Sequence, residues 1–261
     1  MTILEKIIAY KKPLLEEKKL QVGVKNLEQS PFFNRQTISF KKALTEPKSS
    51  GIIAEFKRRS PSKSTINLSA DIEKVTTGYQ ETGAAALSIL TDTHFFGGQN
   101  KDIETIRNLI HKPILRKDFI FDTYQIYEAK SIGADAILLI AEVLTKEAVT
   151  QLSATAHQLG LEVLMELHSP EQLSKIGPDI DVIGVNNRDL KSFETSITHS
   201  QKIAHQLPEG LVKISESGLR SANDIKQLKQ FGYQGFLIGE MFMKTNNPPA
   251  ECSQLIKEIS L

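Results

Sequence analysis

The chain has 261 residues, of which 40% are hydrophobic and 24% are charged, and its formal net charge is +1. This is the composition of a globular protein, and a charge so close to zero gives no general reason to expect a nucleic-acid or membrane partner. The single cysteine excludes an internal disulfide, and without a signal-peptide pattern or an apolar run of transmembrane length we expect a cytoplasmic protein.

Residues 1–50 precede the first predicted strand and are expected to form a helical N-terminal extension. Thr2 and Glu5 have the spacing of a capping box, and the apolar residues after them recur at helical intervals. Pro13 interrupts this pattern, so the sequence predicts that the helix kinks or restarts there. A second helix is predicted over 40–44.

The first strand begins at Gly51 as an apolar run and ends in a dense group of polar residues. Because side chains alternate along a strand, Ile53, Glu55 and Lys57 share one face. That face is apolar at its start and charged at its end, which is typical of a barrel strand that brings chemistry to the top of the barrel. The alternative is a surface strand end carrying a solvated ion pair.

After this strand, predicted helices and strands alternate to the end of the chain. The later strands are predicted over 84–90, 113–118, 136–140, 162–166, 182–186, 211–215 and 235–239. The helices are predicted over 69–81, with Ser69 as a candidate cap, and over 102–110, 122–132, 145–159, 169–175, 195–207, 221–231 and 249–259.

Eight strand–helix units predict an α/β fold, a (β/α)8 TIM barrel that forms a single domain over 1–261 with its N-terminal helical extension. The length would also suit two modest domains. An open doubly wound sheet is the topological alternative, but the Gly-x-Gly-x-x-Gly turn usual after its first strand is absent.

Titratable and polar residues stand at the ends of most predicted strands. They are Glu55, Lys57, Lys117, Glu166, Asn186, Arg188, Glu216 and Ser217. Taken one at a time, each is more simply a surface residue. Taken together at one level of a barrel, they indicate a ligand site, because buried charges are costly unless they are paired.

The pattern favours acid–base chemistry without a metal or a cofactor. The six histidines are scattered and do not have the spacing of metal ligands. Crowding of Glu55, Lys57 and Lys117 would shift their pKa values, as general acids and bases require. A Schiff base on Lys57 or Lys117 remains a second possibility.

The loops after strands seven and eight predict a phosphate site. Gly218 and Gly239 would let backbone N–H groups approach an anion closely, at the position where barrels commonly bind phosphate. Glu240 is unfavourable for this site, because a carboxylate repels a phosphate dianion. We expect its side chain to point away while its N–H donates.

Several segments together resemble the indole-3-glycerol-phosphate synthase family over nearly the whole chain. The matching segments are 53–62 (IAEFKRRSPS), 115–120 (LRKDFI), 165–168 (MELH), 183–190 (IGVNNRDL) and 215–219 (SESGL), with SILTD at 88–92 and FFGG at 95–98. The resemblance implies closure of an indole ring. The substrate would be 1-(2-carboxyphenylamino)-1-deoxyribulose 5-phosphate and the products indole-3-glycerol phosphate, carbon dioxide and water.

The resemblance also implies roles for individual residues. Lys117 would be the general acid on the carbonyl, Glu166 would stabilise the cationic intermediate, and Glu55 with Lys57 would form a second acid–base pair. The other implied assignments are Asn186 to a substrate hydroxyl, Ser60 and Ser217 to further hydrogen bonds, Arg188 to the carboxylate, Phe96 and Phe119 to the aromatic ring, Glu216 to substrate binding, and Gly218, Gly239 and the main chain of Glu240 to the phosphate.

Two features depart from what the family leads us to expect, namely Glu240 at a position where serine is common and Pro13 inside the first helix. Two rival functions stay open. One is phosphoribosylanthranilate isomerase, for which Cys252 would have to supply an acid–base group, and the other is a barrel that binds a phosphorylated ligand without turning it over. We expect a small phosphorylated substrate as the partner, no nucleic acid and no membrane, a monomer, and association with other tryptophan-pathway enzymes as an option.

Overall fold

A computed structural model describes residues 2–189, 192 and 194–261, and at its centre eight parallel strands close into a barrel. The strands are β1 (Ile52–Phe56), β2 (Ala86–Leu90), β3 (Ile114–Lys117), β4 (Ala136–Ile140), β5 (Glu162–Leu167), β6 (Val182–Asn186), β7 (Val212–Glu216) and β8 (Gly235–Ile238). Each strand pairs with the next in chain order, and β1 pairs with β8 to close the barrel. The predicted TIM barrel is therefore confirmed.

Helices precede β1 and follow each strand. They are α1 (Ile3–Gln21), α2 (Val24–Glu28), α3 (Phe40–Thr45), α4 (Ile72–Glu81), α5 (Thr93–Phe96), α6 (Asn100–Ile106), α7 (Thr123–Ser131), α8 (Lys146–Gln158), α9 (Thr198–Ile203), α10 (Ala222–Gln230), α11 (Glu240–Met243) and α12 (Pro248–Ser260), with 3-10 helices at Pro170–Lys175 and Ala204–Gln206. Within the described ranges, none of these helices combines the length and the apolar character needed to span a bilayer.

Of the two outcomes predicted at Pro13, a kink or a restart of the helix, the restart is wrong. The capping box of Thr2 and Glu5 is present, and α1 continues through Pro13 to Gln21. Proline removes one backbone hydrogen bond from a helix interior, and the helix around it is also tied to the barrel. The ammonium of Lys11 lies 3.0 Å from an Asp92 carboxylate oxygen and 2.6 Å from one of Asp118.

Two further boundaries were predicted wrongly. Ser69 does not cap α4; the carboxylate of Asp71 accepts the N–H groups of Glu73 and Lys74 instead. The Asp71 carboxylate satisfies two backbone N–H groups that have no partner within the first turn of a helix. This explains why the helix begins there. Between the strand predicted over 84–90 and the helix predicted over 102–110, where no helix was expected, the structure has α5, which Asp92 caps.

Alternation along each strand separates two apolar layers. On β1, Ile52, Ala54 and Phe56 face the surrounding helices, whereas Ile53 belongs to the cluster that fills the barrel. Leu115, Leu164 and Ile214 join Ile53 in that interior cluster. Such layers, built from alternate strands, are usual in eight-stranded barrels.

The N-terminal extension contacts both ends of the barrel. Leu4 and Ile7 of α1 line a cavity with residues at the carboxyl ends of the strands. Phe40 and Leu44 of α3 belong to the interior cluster, and Leu44 packs near Gly235 at the start of β8. The extension therefore covers the end of the barrel at which the strands finish, through α1, and closes the end at which they begin, through α3.

Asp135, just before β4, connects the extension to the barrel through a fully buried carboxylate. One carboxylate oxygen lies 2.6 Å from the Arg107 guanidinium, and the other lies 2.5 Å from that of Arg35. The N–H groups of Ile38 and Ile114 also donate to it, each at 2.8 Å. The charge is therefore compensated on every side, as burial requires.

We expect Asp135→Ala to lower the free energy of unfolding by about 3 to 5 kcal/mol, because it leaves the buried Arg107 cation without its partner. Denaturant unfolding followed by circular dichroism measures the change. Asp179→Ala is the matched control, since Asp179 is 35% exposed and pairs only with His157 at 3.5 Å among the contacts found. Its effect should stay within about 0.5 kcal/mol, and equal losses in the two variants would contradict the role given to Asp135.

Candidate active site

A cavity of about 600 Å³ opens at the mouth of the barrel, the end at which the carboxyl ends of the strands meet. Every residue that the sequence analysis assigned to the site lines this cavity. These residues are Glu55, Lys57, Ser60, Phe96, Lys117, Phe119, Glu166, Asn186, Arg188, Glu216, Ser217, Gly218, Gly239 and Glu240. Leu190, the last residue of the 183–190 segment, lies outside the described residues.

Lys117 is the centre of the charged groups in the cavity. Its ammonium lies 2.9 Å from a carboxylate oxygen of Glu166 and is also paired with Glu216. The three residues come from β3, β5 and β7, and Glu55 on β1 also acts on the charge of Lys117. The four odd-numbered strands thus end in one charged layer, directly above the apolar layer that fills the barrel.

Burial and mutual charge shift the pKa values of these groups in different directions. Burial disfavours the ammonium of Lys117, but the carboxylates of Glu166, Glu216 and Glu55 outweigh it and raise the pKa. Burial raises the pKa of Glu166, but Lys117 and then His168 outweigh it and lower the value to about 2. For Glu216, burial and the nearby Glu166 charge prevail over Lys117 and raise the pKa to about 8. Glu166 and Glu216 therefore titrate as a coupled pair that holds one proton at neutral pH.

Two glycines make room for the carboxylates of this layer. A Cβ at Gly184 on β6 would lie 2.2 Å from a carboxylate oxygen of Glu216, and one at Gly239 would lie 2.5 Å from a carboxylate oxygen of Glu55. Sequence analysis assigned Gly239 to phosphate and did not single out Gly184. Glycine inside a strand signals such close approach, so Gly184 could have been found.

Glu55 and Lys57 form a second charged pair at the mouth. The Lys57 ammonium lies 2.7 Å from one carboxylate oxygen of Glu55. The hydroxyl of Ser88 on β2 donates to the other oxygen at 3.3 Å. Ser88 is fully buried, and the sequence pattern alone did not identify it, because a single serine inside a strand carries no distinctive signal.

A buried asparagine orders the loop after β7. The side-chain amide of Asn187 donates to the Ser217 carbonyl at 3.0 Å and to the Ser215 hydroxyl at 2.9 Å. Ser217 and Gly218 both have positive φ, at 67° and 71°. This left-handed conformation is uncommon for a serine, so Asn187 helps to hold a strained turn at the mouth. Asn187 falls within a motif of the sequence analysis but was given no role there.

One wall of the cavity is apolar. The rings of Phe96 and Phe119 lie 5.9 Å apart between centroids, at an angle of 42°. Ile3, Leu4 and Ile7 of α1 line the same cavity. Sequence analysis predicted the two aromatic residues but not α1, because nothing in an amphipathic helix indicates which surface it covers.

His168 follows β5, and its Nε2 lies 3.4 Å from a carboxylate oxygen of Glu166. This histidine, the last residue of the MELH segment, therefore lines the cavity at the barrel mouth beside Glu166. In the part of the chain that the structure describes, no three His, Cys, Asp or Glu side chains are grouped as metal ligands would be. That the chemistry needs no metal or cofactor stays a prediction.

The family model described as "Indole-3-glycerol phosphate synthase" matches residues 4–255 of the chain. Three proteins with that same name are similar to it over almost their whole length. The one from Bacteroides thetaiotaomicron is 48% identical over 257 residues, covering 98% of each chain. The one from Carboxydothermus hydrogenoformans is 40% identical, covering 94% of this chain and 96% of its own. The one from Salinibacter ruber is 39% identical, covering 99% and 96%.

Solved structures of other enzymes share the barrel at low sequence identity. The 3-hexulose-6-phosphate synthase from Salmonella typhimurium has a TM-score of 0.62 at 14% identity, covering 80% of this chain and 98% of its own. The thiamine phosphate pyrophosphorylase from Pyrococcus furiosus has a TM-score of 0.61 at 14% identity, covering 85% and 98%. These likenesses support the fold alone.

The raised pKa of Glu216 predicts a pH-dependent contribution to stability. The folded protein holds this proton up to about pH 8, whereas the unfolded chain releases it near the ordinary value of 4.5. The contribution is therefore complete below about pH 4.5 and is lost as the pH rises through about 8. Thermal unfolding across this window should show wild type losing more stability than Glu216→Gln. Glu104→Gln, at a partly exposed helix position outside the cavity, is the control, and parallel curves for wild type and Glu216→Gln would contradict the assignment.

Proposed function

The chain belongs to the indole-3-glycerol phosphate synthase family, and from this premise we propose how the residues at the mouth divide the reaction among them. The protein is a carboxy-lyase of tryptophan biosynthesis. It closes the indole ring of 1-(2-carboxyphenylamino)-1-deoxyribulose 5-phosphate and releases carbon dioxide and water.

Lys117 acts as the general acid in ring closure. As the aromatic carbon attacks the ribulose carbonyl, negative charge develops on the carbonyl oxygen and a proton must reach it. An ammonium has three N–H donors, and two of those of Lys117 are directed at Glu166 and Glu216, which leaves one for the substrate. The carboxyl groups of Glu166, Glu216 and Glu55 together keep this side chain charged although it is only 12% exposed, and the arrangement of Glu166 and Glu216 around Lys117 is the single observation that carries the proposal.

Glu166 and Glu216 act on the intermediate that ring closure produces. This intermediate is cationic until the carboxyl group leaves as carbon dioxide, and the Glu166 carboxylate stabilises it. Glu166 also assists the departing hydroxyl. Glu216, whose pKa is raised to about 8 by burial and by the charge of Glu166, contacts the substrate beside Glu166.

The Glu55–Lys57 pair completes the acid–base set. Lys57 is 17% exposed, Glu55 is buried, and both line the cavity. A carboxylate and an ammonium in contact can remove one proton and deliver another, as the dehydration step requires. Asn186 orients a substrate hydroxyl, and Ser217 adds a hydrogen bond beside it.

The carboxylate and the phosphate of the substrate are bound by two different groups of residues. Arg188 and Ser60 bind the carboxylate, for which the planar guanidinium is well suited. Backbone N–H groups at Gly218, Gly239 and Glu240 bind the phosphate. Phe96 and Phe119 hold the aromatic ring between these ends, where the cavity wall is apolar.

The rival functions have weaker support. The isomerase alternative needs a cysteine at the mouth, but Cys252 is buried in α12, and burial raises the pKa of its thiol to about 11. A barrel that only binds a ligand would not need three carboxylates around one ammonium, an arrangement that is costly to bury.

We expect Lys117→Ala to lower kcat by at least ~100-fold, the usual scale for a proton-transfer group. The measurement follows indole fluorescence after addition of the substrate, with circular dichroism to verify folding. Lys101→Ala is the control, because Lys101 is an exposed lysine of α6 paired only with Glu104 among the salt bridges found. A folded Lys117→Ala enzyme of near-normal turnover would reject the role, and a wild-type protein that binds substrate without an indole signal would support the ligand-binding alternative.

The proposed site is complete within one chain, so the protein functions as a monomer, and any association with other enzymes of the pathway is additional to it. Sedimentation equilibrium should give a mass near 29.1 kDa. Activity per chain should not change on dilution. A dimer whose dissociation abolishes activity would overturn this part of the proposal.

A further inference from the structure

A tight turn after β1 projects over the mouth of the barrel. Ser60 and Lys63 exchange backbone hydrogen bonds at 2.8 and 3.0 Å, which closes residues 60–63 into a turn. We call it the 60–63 turn. It lies against the loops of two distant strands, since Arg188 after β6 donates to the Ser62 hydroxyl at 3.2 Å and Lys63 pairs with Glu240 after β8.

The Lys63–Glu240 ion pair is the contact that the catalytic proposal leaves unexplained. The Lys63 ammonium lies 2.5 Å from a carboxylate oxygen of Glu240, and the side chains are 52% and 33% exposed. Both residues line the cavity beside Gly218 and Gly239. The pair joins the 60–63 turn to the loop at which the phosphate is proposed to bind.

Glu240 lies in a cationic environment. Burial alone would raise the pKa of Glu240. The ammonium of Lys63 outweighs burial, and the charges of Lys57 and Arg188 add to the effect of Lys63, so that the pKa of Glu240 is lowered. Lys63 is thus the cation in contact with this carboxylate, whereas Lys57 is paired with Glu55 and Arg188 donates to Ser62. An ammonium held by a single, partly exposed carboxylate, in a cavity that the glycines of the proposed phosphate loop also line, is available to a second and stronger anion.

We propose that Lys63 is a ligand of the substrate phosphate and that Glu240 holds it over the mouth until the substrate arrives. The inference rests on the proposed phosphate position at Gly218 and Gly239. In the free enzyme the Glu240 carboxylate is the anion that pairs with Lys63. When the phosphate binds, the ammonium of Lys63 turns from Glu240 to the phosphate oxygens.

The exchange is favourable for an electrostatic reason. An exposed lysine–carboxylate pair stabilises a protein only slightly, because solvent screens both charges. A phosphate dianion carries twice the charge and has more acceptor oxygens, so that charge-assisted hydrogen bonds to it are stronger. Glu240 thus keeps the Lys63 side chain in position. It also lowers the net affinity of Lys63 for phosphate, because the substrate must compete with Glu240 for the same ammonium.

The test compares Lys63→Met, Glu240→Gln and the double variant in steady-state kinetics. We expect Lys63→Met to raise KM about 10-fold while kcat changes less than about 2-fold, the loss of one charge-assisted contact in binding. Glu240→Gln should lower KM about 3-fold by releasing Lys63, and this gain should disappear when Lys63 is already methionine. The Ki of inorganic phosphate as a competitive inhibitor should follow the same pattern.

The dephosphorylated substrate separates this inference from the proposed function. On it, Lys63→Met should change kcat/KM less than about 2-fold, since the contact that it removes is absent. Equal effects on both substrates would overturn the role of Lys63, and an equal gain from Glu240→Gln in both backgrounds would overturn the role of Glu240. If the phosphate position itself were wrong, inorganic phosphate would not compete with substrate in the wild type, a result that leaves the Lys117 test unaffected.

A matched exposed pair controls for general effects of charge. Lys101 and Glu104 on α6 are 3.4 Å apart and, like Lys63 and Glu240, form a partly exposed lysine–glutamate pair. Lys101→Met and Glu104→Gln change net charge in the same way at a place that does not line the cavity. We expect KM to stay within about 2-fold in both, and shifts as large as those of Lys63→Met would show that net charge alone is responsible, which would overturn the proposal.

Discussion

The site depends on one buried ammonium held by carboxylates from other strands. Lys117 stands at the end of β3, and its partners Glu166 and Glu216 stand at the ends of β5 and β7. None of these charges could be buried alone at an acceptable cost in free energy. Closing the barrel brings them together, so the fold and the charged layer require each other.

The same requirement explains features that look unrelated to catalysis. Gly184 has no side chain because the Glu216 carboxylate occupies the space where a Cβ would be, and Gly239 leaves room for Glu55 in the same way. Buried Ser88 donates to Glu55 from the neighbouring strand. Small residues therefore shape the charged layer as much as the charged residues do, because they fix where each carboxylate can lie.

The sequence predicted the barrel and the residues at the strand ends because both follow from local patterns. Apolar runs of strand length recur at regular intervals, and polar residues such as Lys117 and Glu166 stand where those runs end. What it did not predict depends on contacts between distant segments. The cap of α4 is an exception, since Ser69 and Asp71 are both acceptable helix caps and the hydrogen bonds that Asp71 accepts are local. The pairing of Lys63 with Glu240 joins positions 177 residues apart, for which local periodicity holds no information.

The N-terminal extension has a consequence for biosynthesis. It leaves the ribosome before the barrel does, yet Lys11, Arg35 and Ser39 bind acidic residues made 107, 100 and 123 residues later. At a translation rate of about 5 to 20 residues per second, those partners are synthesised roughly 5 to 25 s after the extension. During that interval Leu4 and Ile7 have no barrel to cover, so the nascent chain exposes the apolar side chains of this segment before it has a core in which to bury them.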